Sequence, residues 1–191
     1  MTHVYFIRHA EPNYKNHDDQ TRELTEKGMK DRVLVTDYLK DKMIDVVLSS
    51  PYKRAVDTVK DFADKYNLHI KSVHDFRERK IDSIWIEDFQ TFSRRQWADF
   101  NYKYSDGEAL NEVQKRNISA LNAVLIEYQN KNIVVGSHGT ALSTIINYYD
   151  SSFGYDDFER IKSLMPWVVK FTFKNTDCIG IDKINLFDDK S

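Results

Sequence analysis

The feature that most constrains this chain is a short apolar strand near the N-terminus that ends in a guanidinium and an imidazole. Val4-Tyr5-Phe6-Ile7 is a run of β-branched and aromatic residues, and Arg8-His9 follow it directly. Such runs are typical of strands that are buried on both faces of a sheet by helices. Open sheets of this kind bind their ligands at the carboxyl ends of the strands. The pattern therefore predicts an α/β fold whose binding edge carries Arg8 and His9.

The rest of the chain continues this pattern, because helix-like and strand-like segments alternate along it. Helices are predicted over residues 26–42, 51–66, 108–129, from 139 onward and 156–165. Strands are predicted over residues 44–48, 69–76, 132–137, 167–173 and 178–186. The last two strands are separated by a short turn at 175–177, so they form an antiparallel hairpin. We expect a three-layer αβα sandwich with a mostly parallel sheet and an antiparallel part near the C-terminus.

Two of these helices carry specific expectations about caps and buried faces. Thr25 can cap the first helix, whose apolar side would hold Met29, Val33, Leu34 and Tyr38, while Gly28 lowers its helix propensity. In the second helix Ser50 would be the N-cap and Pro51 the first helical residue. Its buried stripe would consist of Ala55, Val59, Phe62 and Ala63.

The chain is expected to form one domain over residues 1–191. It has 6 glycines and 3 prolines, and it contains no linker-like tract and no repeat. Residues 84–100 are rich in aromatic residues at near-helical spacing, which indicates core or lid packing rather than a cofactor site: Trp85, Phe89, Phe92, Trp97 and Phe100. We therefore expect a helical excursion around residues 80–107 that covers the substrate.

Composition excludes several classes of partner. With 28 basic and 30 acidic residues the net charge is −2, which gives no reason to expect binding to nucleic acid or to an anionic membrane. The chain has no apolar run of about 18 residues and no signal-like N-terminal segment. A single cysteine, Cys178, can form neither an intramolecular disulfide nor a thiolate cluster, and its apolar neighbours favour a packed thiol. These features predict a cytoplasmic protein.

Four side chains are expected to meet at one edge of the sheet. His138 follows the strand 132–137 as His9 follows the first strand, and Arg54 lies in the first turn of the helix after the second strand. If these strands are parallel neighbours, Arg8, His9, Arg54 and His138 converge together with the N-termini of two helices. Two arginines, two histidines and two helix N-termini suit a dianion, and phosphate is the best candidate.

Each of these residues also has an ordinary structural explanation. A histidine that follows a strand is usually a hydrogen-bonded polar residue, and Arg54 taken alone would be a residue of a helix surface. The other histidines have no comparable set of partners in the sequence: His3, His17, His69 and His74. The site is therefore indicated by the combination and not by any single member.

Several short motifs occur in a fixed order between residues 4 and 146. They are Arg8-His9-Ala10, Leu24-Thr25-Glu26-Lys27-Gly28, Ser49-Ser50-Pro51-Tyr52-Lys53-Arg54-Ala55, Arg77-Glu78, Gly107-Glu108-Ala109 and Ser137-His138-Gly139. Each is weak alone, but the ordered set resembles the histidine phosphatase, or phosphoglycerate mutase-like, superfamily.

The resemblance implies a role for each site residue. His9 would be the nucleophile that forms a phosphohistidine, and Arg8, Arg54 and His138 would hold the phosphoryl oxygens. Glu78 would donate the proton to the leaving oxygen, with Glu11, Asp75 and Glu87 as competing acids. Neither a metal nor a cofactor is expected, because arginines can neutralise the phosphoryl charge. Clustered cations should also keep the imidazole of His9 neutral.

The resemblance also limits what can be expected of the substrate. Ala10 and Pro12 stand where the superfamily commonly has glycine and threonine, and Asp82-Ser83 replace a glycine often found after the acid. The loop over residues 10–24 is therefore remodelled. We expect a hydrolase of a small phosphorylated metabolite. The alternatives are a phosphoglycerate mutase and a non-catalytic module that binds phosphate.

Overall fold

A single six-stranded sheet forms the centre of the molecule. The structure is a computed structural model that describes residues 1–188, so residues 189–191 of the predicted domain lie outside the described part. The strands are β1 (Thr2–Arg8), β2 (Val46–Ser49), β3 (Ile70–Ser72), β4 (Asn132–Ser137), β5 (Trp167–Lys174) and β6 (Asp177–Ile184). Their spatial order is β3-β2-β4-β1-β5-β6.

The direction of the strands brings three carboxyl ends together. β4 lies between β1 and β2 and is parallel to both, and β3 is parallel to β2. β5 is antiparallel to β1, and β6 is antiparallel to β5. The prediction of a mostly parallel sheet with an antiparallel part near the C-terminus is therefore confirmed. The residues that follow β1, β2 and β4 all lie at the same edge.

Helices cover both faces of this sheet. They are α1 (Glu26–Leu39), α2 (Lys53–Lys65), α3 (Phe89–Ala98), α4 (Leu110–Glu127), α5 (Gly139–Tyr149) and α6 (Tyr155–Ile161). Alternation along β1 divides the core, since Val4 and Phe6 pack with α4, α5 and α6, whereas Tyr5 and Ile7 pack with α1 and α2. The predicted three-layer sandwich is confirmed. No helix within residues 1–188 is long and apolar enough to cross a membrane.

Helix α1 is rotated relative to the prediction. Thr25 caps it as expected, by accepting a hydrogen bond from the backbone N–H of Gly28. However, Met29 and Val33 are exposed, and Val35 and Leu39 are buried instead. A Cβ atom at Gly28 would lie 2.3 Å from the carbonyl oxygen of Glu11, so this close backbone contact fixes which side of α1 faces the protein. The predicted buried stripe of α2, in contrast, is confirmed.

Several predicted boundaries are wrong, since α1 ends at Leu39 and not at 42, α6 ends at Ile161 and not at 165, and two further elements differ. β3 is only three residues long and is followed by a 3₁₀ helix at His74–Phe76, because it is an edge strand that pairs with β2 over three residues. Helix α2 begins at Lys53 with Tyr52 as its N-cap. The hydroxyl of Ser50 accepts a hydrogen bond from the backbone N–H of Tyr52 at 3.2 Å and does not cap the helix.

The segment around residues 80–107 leaves the sandwich and returns to the same point. Its two ends meet where the N–H of Glu108 donates to the carbonyl of Lys80 at 2.8 Å. Helix α3 lies within it, and the amide of Gln96 donates to the carbonyls of Tyr102 and Glu108. The predicted aromatic stripe is not one face, since Phe92 is buried whereas Trp85 is exposed. That this segment covers a substrate stays a prediction.

Candidate active site

His9 is the first residue after β1 and is fixed there by its own backbone. Its N–H donates to the carbonyl of Ser137 in β4 at 3.1 Å, and its side chain is buried. The Nδ1 atom lies 2.8 Å from the carbonyl oxygen of Ala10. A carbonyl can only accept a hydrogen bond, so Nδ1 carries the hydrogen and Nε2 keeps a lone pair in the neutral ring. Nε2 is therefore the atom of His9 that is available as a nucleophile.

The surroundings of His9 favour its neutral form. Burial lowers the pKa of His9 well below its usual value of 6.5, and the positive charges of Arg54 and Arg8 lower it further. The hydrogen bond to Ala10 opposes this shift without reversing it. The imidazole is thus unprotonated near pH 7, in agreement with the expectation from the sequence.

His138 packs against His9 at the start of α5. The two ring centroids are 5.4 Å apart, and His138 Nε2 lies 2.7 Å from the hydroxyl oxygen of Ser50. Its Nδ1 is buried and has no hydrogen-bond partner among the described residues. Burial lowers the pKa of His138 well below 6.5, and the charge of Arg54 acts in the same direction. The three parallel strands thus bring His9, His138 and Ser50 together.

Arg54 reaches the same place from the first turn of α2, and it does not lie on a helix surface. Its side chain is 3% exposed. Its Nη2 donates to Oδ1 of Asp19 at 2.9 Å, and its Nη1 donates to the backbone carbonyl of Asp19. A further buried arginine, Arg22, donates to the same Oδ1 at 3.1 Å. Sequence reasoning missed Arg22 and Asp19, since neither belongs to a recognisable motif in the loop.

Arg8 points to the face of the sheet that α5 and α6 cover. This follows from strand alternation, because Arg8 continues the series of Val4 and Phe6 up to the last residue of β1. Its Nη1 donates to the carbonyl of Ile161 at 2.6 Å and to that of Leu164 at 3.3 Å. One side of this guanidinium therefore holds the end of α6, while its charge still acts on His9.

Glu78 lies at the N-terminus of α5. Its carboxylate oxygens accept hydrogen bonds from the backbone N–H groups of Thr140 and Ala141, both at 3.0 Å, and from that of Arg79 at 2.8 Å. Arg116 of α4 braces the same segment by donating to the backbone carbonyl of Glu78 at 3.2 Å. These contacts hold the carboxylate beside the helix start that directly follows His138.

The competing acids have other surroundings. Glu11 accepts a hydrogen bond from the hydroxyl of Thr25 at 2.7 Å. Asp75 is exposed and pairs with Arg77 at 3.0 Å, and Glu87 is exposed. Within residues 1–188 no group of three or more histidine, cysteine or acidic side chains is arranged to hold a metal ion.

The loop between β1 and α1 contacts the 80–107 segment beside Arg22. The rings of His17 and Trp85 stack with centroids 4.1 Å apart and planes inclined by 5°. The Arg22 guanidinium lies 5.6 Å from the Trp85 ring and 5.8 Å from the Tyr14 ring. We refer to Tyr14, His17 and Trp85 as the aromatic cap.

Comparison with known proteins shows the family to which the chain belongs. The sequence model of the histidine phosphatase superfamily (branch 1) matches residues 4–178. The chain belongs to this superfamily. It is 26% identical over 150 residues to the uncharacterized phosphatase PhoE of Bacillus subtilis, covering 76% of each chain. It is 28% identical over 157 residues to phosphoserine phosphatase 1 of Hydrogenobacter thermophilus, covering 72% of this chain and 71% of the relative.

Other members of the superfamily are also similar. A probable phosphoglycerate mutase, GpmB of Erwinia tasmaniensis, is 26% identical over 159 residues, covering 77% of this chain and 74% of the relative. Among solved structures, YhfR of Bacillus stearothermophilus superposes with a TM-score of 0.79 at 19% identity, covering 93% of this chain and 94% of YhfR. The predicted phosphoglycerate mutase-like fold and the predicted class, a phosphatase of the histidine phosphatase superfamily, are both confirmed. The rival class, a mutase, also occurs among the relatives.

Proposed function

We propose that this histidine phosphatase hydrolyses phosphomonoesters with Nε2 of His9 as the nucleophile. The observation that carries the proposal is the 2.8 Å contact between His9 Nδ1 and the Ala10 carbonyl oxygen, from which the tautomer follows. Nε2 therefore presents a lone pair on a neutral ring that burial and two arginines keep unprotonated. A non-catalytic phosphate-binding module would have no use for a nucleophile prepared in this way.

The remaining site residues would neutralise the phosphoryl group. Arg54 and His138 lie around His9, the charge of Arg8 reaches it, and the backbone N–H groups at the start of α5 add a site that favours anions. Phosphoryl transfer requires mainly positioning and charge neutralisation, which these groups can supply. We therefore propose that the reaction needs neither a metal nor a cofactor.

Glu78 is proposed as the general acid and base. In the first step Glu78 takes up a proton from solvent as its side chain leaves the start of α5. Nε2 of His9 then forms a bond to phosphorus while the phosphorus–oxygen bond to the alcohol breaks, and Glu78 gives that proton to the leaving oxygen. In the second step the Glu78 carboxylate takes a proton from water, which attacks phosphorus and displaces Nε2. Inorganic phosphate and the proton on Glu78 leave, and His9 and Glu78 return to their starting states.

The substrate is proposed to be a small phosphorylated metabolite. One relative is named a phosphoserine phosphatase, which supports a substrate of that size. We propose that the segment around residues 80–107 covers the substrate as part of one domain, because the aromatic cap joins this segment to the loop after β1. A cytoplasmic location stays a prediction, with which the single cysteine is compatible.

Replacement of His9 tests the mechanism. His9→Ala should reduce hydrolysis of p-nitrophenyl phosphate by at least about a thousandfold, because the atom that becomes phosphorylated is lost. Rapid mixing with a ³²P-labelled substrate should give an acid-labile label on the wild type and none on the variant. The exposed His69 provides a matched control, and His69→Ala should keep full activity. All assays contain EDTA, so inactivity of the wild type that added divalent metal restores would contradict the metal-free proposal.

A phosphoglycerate mutase is the second candidate, because several relatives are named probable phosphoglycerate mutases. A mutase returns the phosphoryl group to the substrate, whereas a phosphatase transfers it to water. Incubation with 3-phosphoglycerate separates the two outcomes by measurement of inorganic phosphate and 2-phosphoglycerate. We expect the protein to release inorganic phosphate from at least one phosphorylated metabolite and to form no 2-phosphoglycerate from 3-phosphoglycerate. Formation of 2-phosphoglycerate faster than release of phosphate would make the mutase the correct assignment.

A further inference from the structure

One carboxylate interacts with two buried arginines beside His9, and the proposed reaction gives it no role. Oδ1 of Asp19 accepts from Nη2 of Arg54 at 2.9 Å and from Nη1 of Arg22 at 3.1 Å. The two arginine side chains are 3% and 9% exposed, whereas that of Asp19 is 38% exposed. The cations are therefore part of the protein interior, and the anion approaches them from the solvent side.

One oxygen atom that accepts hydrogen bonds from two guanidinium groups has the surroundings of a bound anion. Guanidinium groups bind carboxylate and phosphate oxygens with the same fork of N–H donors. An oxygen atom shared by Arg54 and Arg22 consequently marks a position that a phosphoryl oxygen can also occupy. Arg54 is already a proposed phosphate ligand, and a ligand oxygen at this point would contact both arginines.

We propose that Arg22 is a further phosphoryl-binding residue, and that the Asp19 carboxylate occupies the position of one phosphoryl oxygen until substrate displaces it. This inference rests on the proposed function, because the ligand is taken to be a phosphoryl group. The charge of Arg22 also contributes to the lowered pKa of His9, which places the guanidinium within electrostatic reach of the nucleophile.

Arg22 has contacts that can hold it in place after Asp19 leaves. Its Nε donates to the carbonyl of Asn16 at 2.7 Å, and the rings of Tyr14 and Trp85 lie beside its guanidinium. The ends of the loop are tied independently of Asp19, since Asn13 and Asn16 both donate to the carboxylate of Glu23. Rotation of the Asp19 side chain toward solvent therefore frees Nη2 of Arg54 and Nη1 of Arg22, while Nη1 of Arg54 keeps its hydrogen bond to the backbone carbonyl of Asp19.

Displacement of an internal anion has a measurable consequence for affinity. Phosphate has to break the ion pairs of Asp19 before it can form its own, so the carboxylate acts as a built-in competitor. Neutralising Asp19 should strengthen phosphate binding, whereas neutralising Arg22 should weaken it. A structural role for Asp19, in which it orients the two arginines, gives the opposite result for the first change.

Binding of inorganic phosphate, measured by isothermal titration calorimetry on the full chain, tests both parts. Asp19→Asn should lower the dissociation constant about two- to fivefold, the range expected for loss of a partly exposed ion pair. Asp18→Asn is the matched control, because Asp18 is the adjacent loop carboxylate and accepts hydrogen bonds from the backbone N–H groups of Gln20 and Thr21 instead of from Arg22 or Arg54. It should leave the dissociation constant unchanged.

Arg22→Gln should raise the dissociation constant at least about tenfold, both alone and in the Asp19→Asn chain, because a charged hydrogen bond to the ligand is lost. Arg22→Lys keeps the positive charge but lacks the forked pair of N–H donors. Its dissociation constant for phosphate should lie between those of the wild type and Arg22→Gln. Unchanged or weaker phosphate binding by Asp19→Asn would reject the proposal that Asp19 competes with phosphate. Unchanged binding when Arg22→Gln is added to Asp19→Asn would reject Arg22 as a phosphate ligand.

The outcome is separate from that of the proposed function. If phosphate affinity shifts as expected but no phosphomonoester is hydrolysed, the inference stands and the phosphatase proposal fails. If hydrolysis depends on His9 but substitutions of Asp19 and Arg22 leave the affinity for phosphate unchanged, the phosphatase proposal stands and this inference fails.

Discussion

As the proposed proton donor, Glu78 would have to change hydrogen-bond partners during the reaction. Its carboxylate accepts three backbone hydrogen bonds, two of them from the first turn of α5. That turn is also where a phosphoryl group would be favoured. Arg116 holds the backbone of Glu78 through its carbonyl, so the side chain can turn from the helix N-terminus toward the leaving oxygen without movement of the main chain.

The role of Glu78 as proton donor predicts a dependence on the leaving group. Glu78→Gln keeps the shape but removes the proton, so phosphorylation of His9 by an alkyl phosphate should slow about 10²–10⁴-fold. With p-nitrophenyl phosphate the leaving group departs as a stable anion, and the same step should slow far less. Pre-steady-state bursts isolate this step, because Glu78 would also activate water in the second step and steady-state rates could fall for both substrates.

Equal slowing of the burst with both substrates would reject Glu78 as the proton donor. Glu11 would then be the next carboxylate to examine, since Glu87 is exposed. Glu87→Gln therefore serves as the matched control and should leave both burst rates unchanged.

Strand ends allowed two of the site residues to be placed from the sequence, whereas Arg54 was placed by the helix that follows β2 and Glu78 by the family resemblance. His9 and His138 follow β1 and β4 directly, so an apolar run followed by a polar residue was sufficient to place them. Arg22 and Asp19 could not be placed in this way, because they lie in a loop that has no hydrophobic periodicity. Their positions depend on hydrogen bonds within the loop, which no spacing rule describes: Arg22 Nε donates to the carbonyl of Asn16, and the Asn16 side chain donates to Glu23.

At the scale of elements, α1 illustrates why a helix can be predicted while its buried face is not. The apolar residues of α1 allow more than one orientation, and the selected one exposes Met29 and Val33. The deciding contact is between Gly28 and the backbone of Glu11, a residue that precedes the helix by more than a dozen positions. Sequence periodicity carries no information about such a tertiary contact.

Gly28→Ala should consequently destabilise the protein, although alanine is the better helix former. In an exposed helix position the change would stabilise by about 1 kcal/mol. Here the new Cβ would lie 2.3 Å from the carbonyl oxygen of Glu11, which is backbone and can yield only if α1 or the loop moves. We expect a loss of at least about 1 kcal/mol in the free energy of unfolding, measured by urea denaturation.

The exposed Lys30 on the same helix supplies the comparison. Lys30→Ala should change the free energy of unfolding by less than about 0.5 kcal/mol. A stabilised Gly28→Ala variant would mean that the contact with Glu11 is absent in solution. Loss of phosphatase activity in parallel with stability would indicate that the same contact also positions the loop after His9.

At the scale of the whole molecule, the site makes stability depend on pH. His9 and His138 are buried at the sheet edge, and burial lowers the pKa of both well below 6.5. In the unfolded chain the same histidines titrate near their usual value. Below pH 6.5 the unfolded state therefore binds protons that the folded state does not, and the free energy of unfolding falls as the pH falls.

Acid should thus weaken the fold before most carboxylates are protonated. Between pH 7.5 and pH 5.5 the free energy of unfolding should decrease, by at most about 1.4 kcal/mol per histidine for each pH unit below 6.5. Urea denaturation in phosphate-free buffer, followed by circular dichroism, measures this slope.

His138→Gln should flatten the slope, because one of the two buried groups no longer titrates in the unfolded chain. His69→Gln should not, since His69 is exposed. Equal slopes in the wild type and in His138→Gln would show that His138 takes up protons in the folded protein as readily as in the unfolded chain, which would remove the basis for a neutral imidazole pair at the centre of the site.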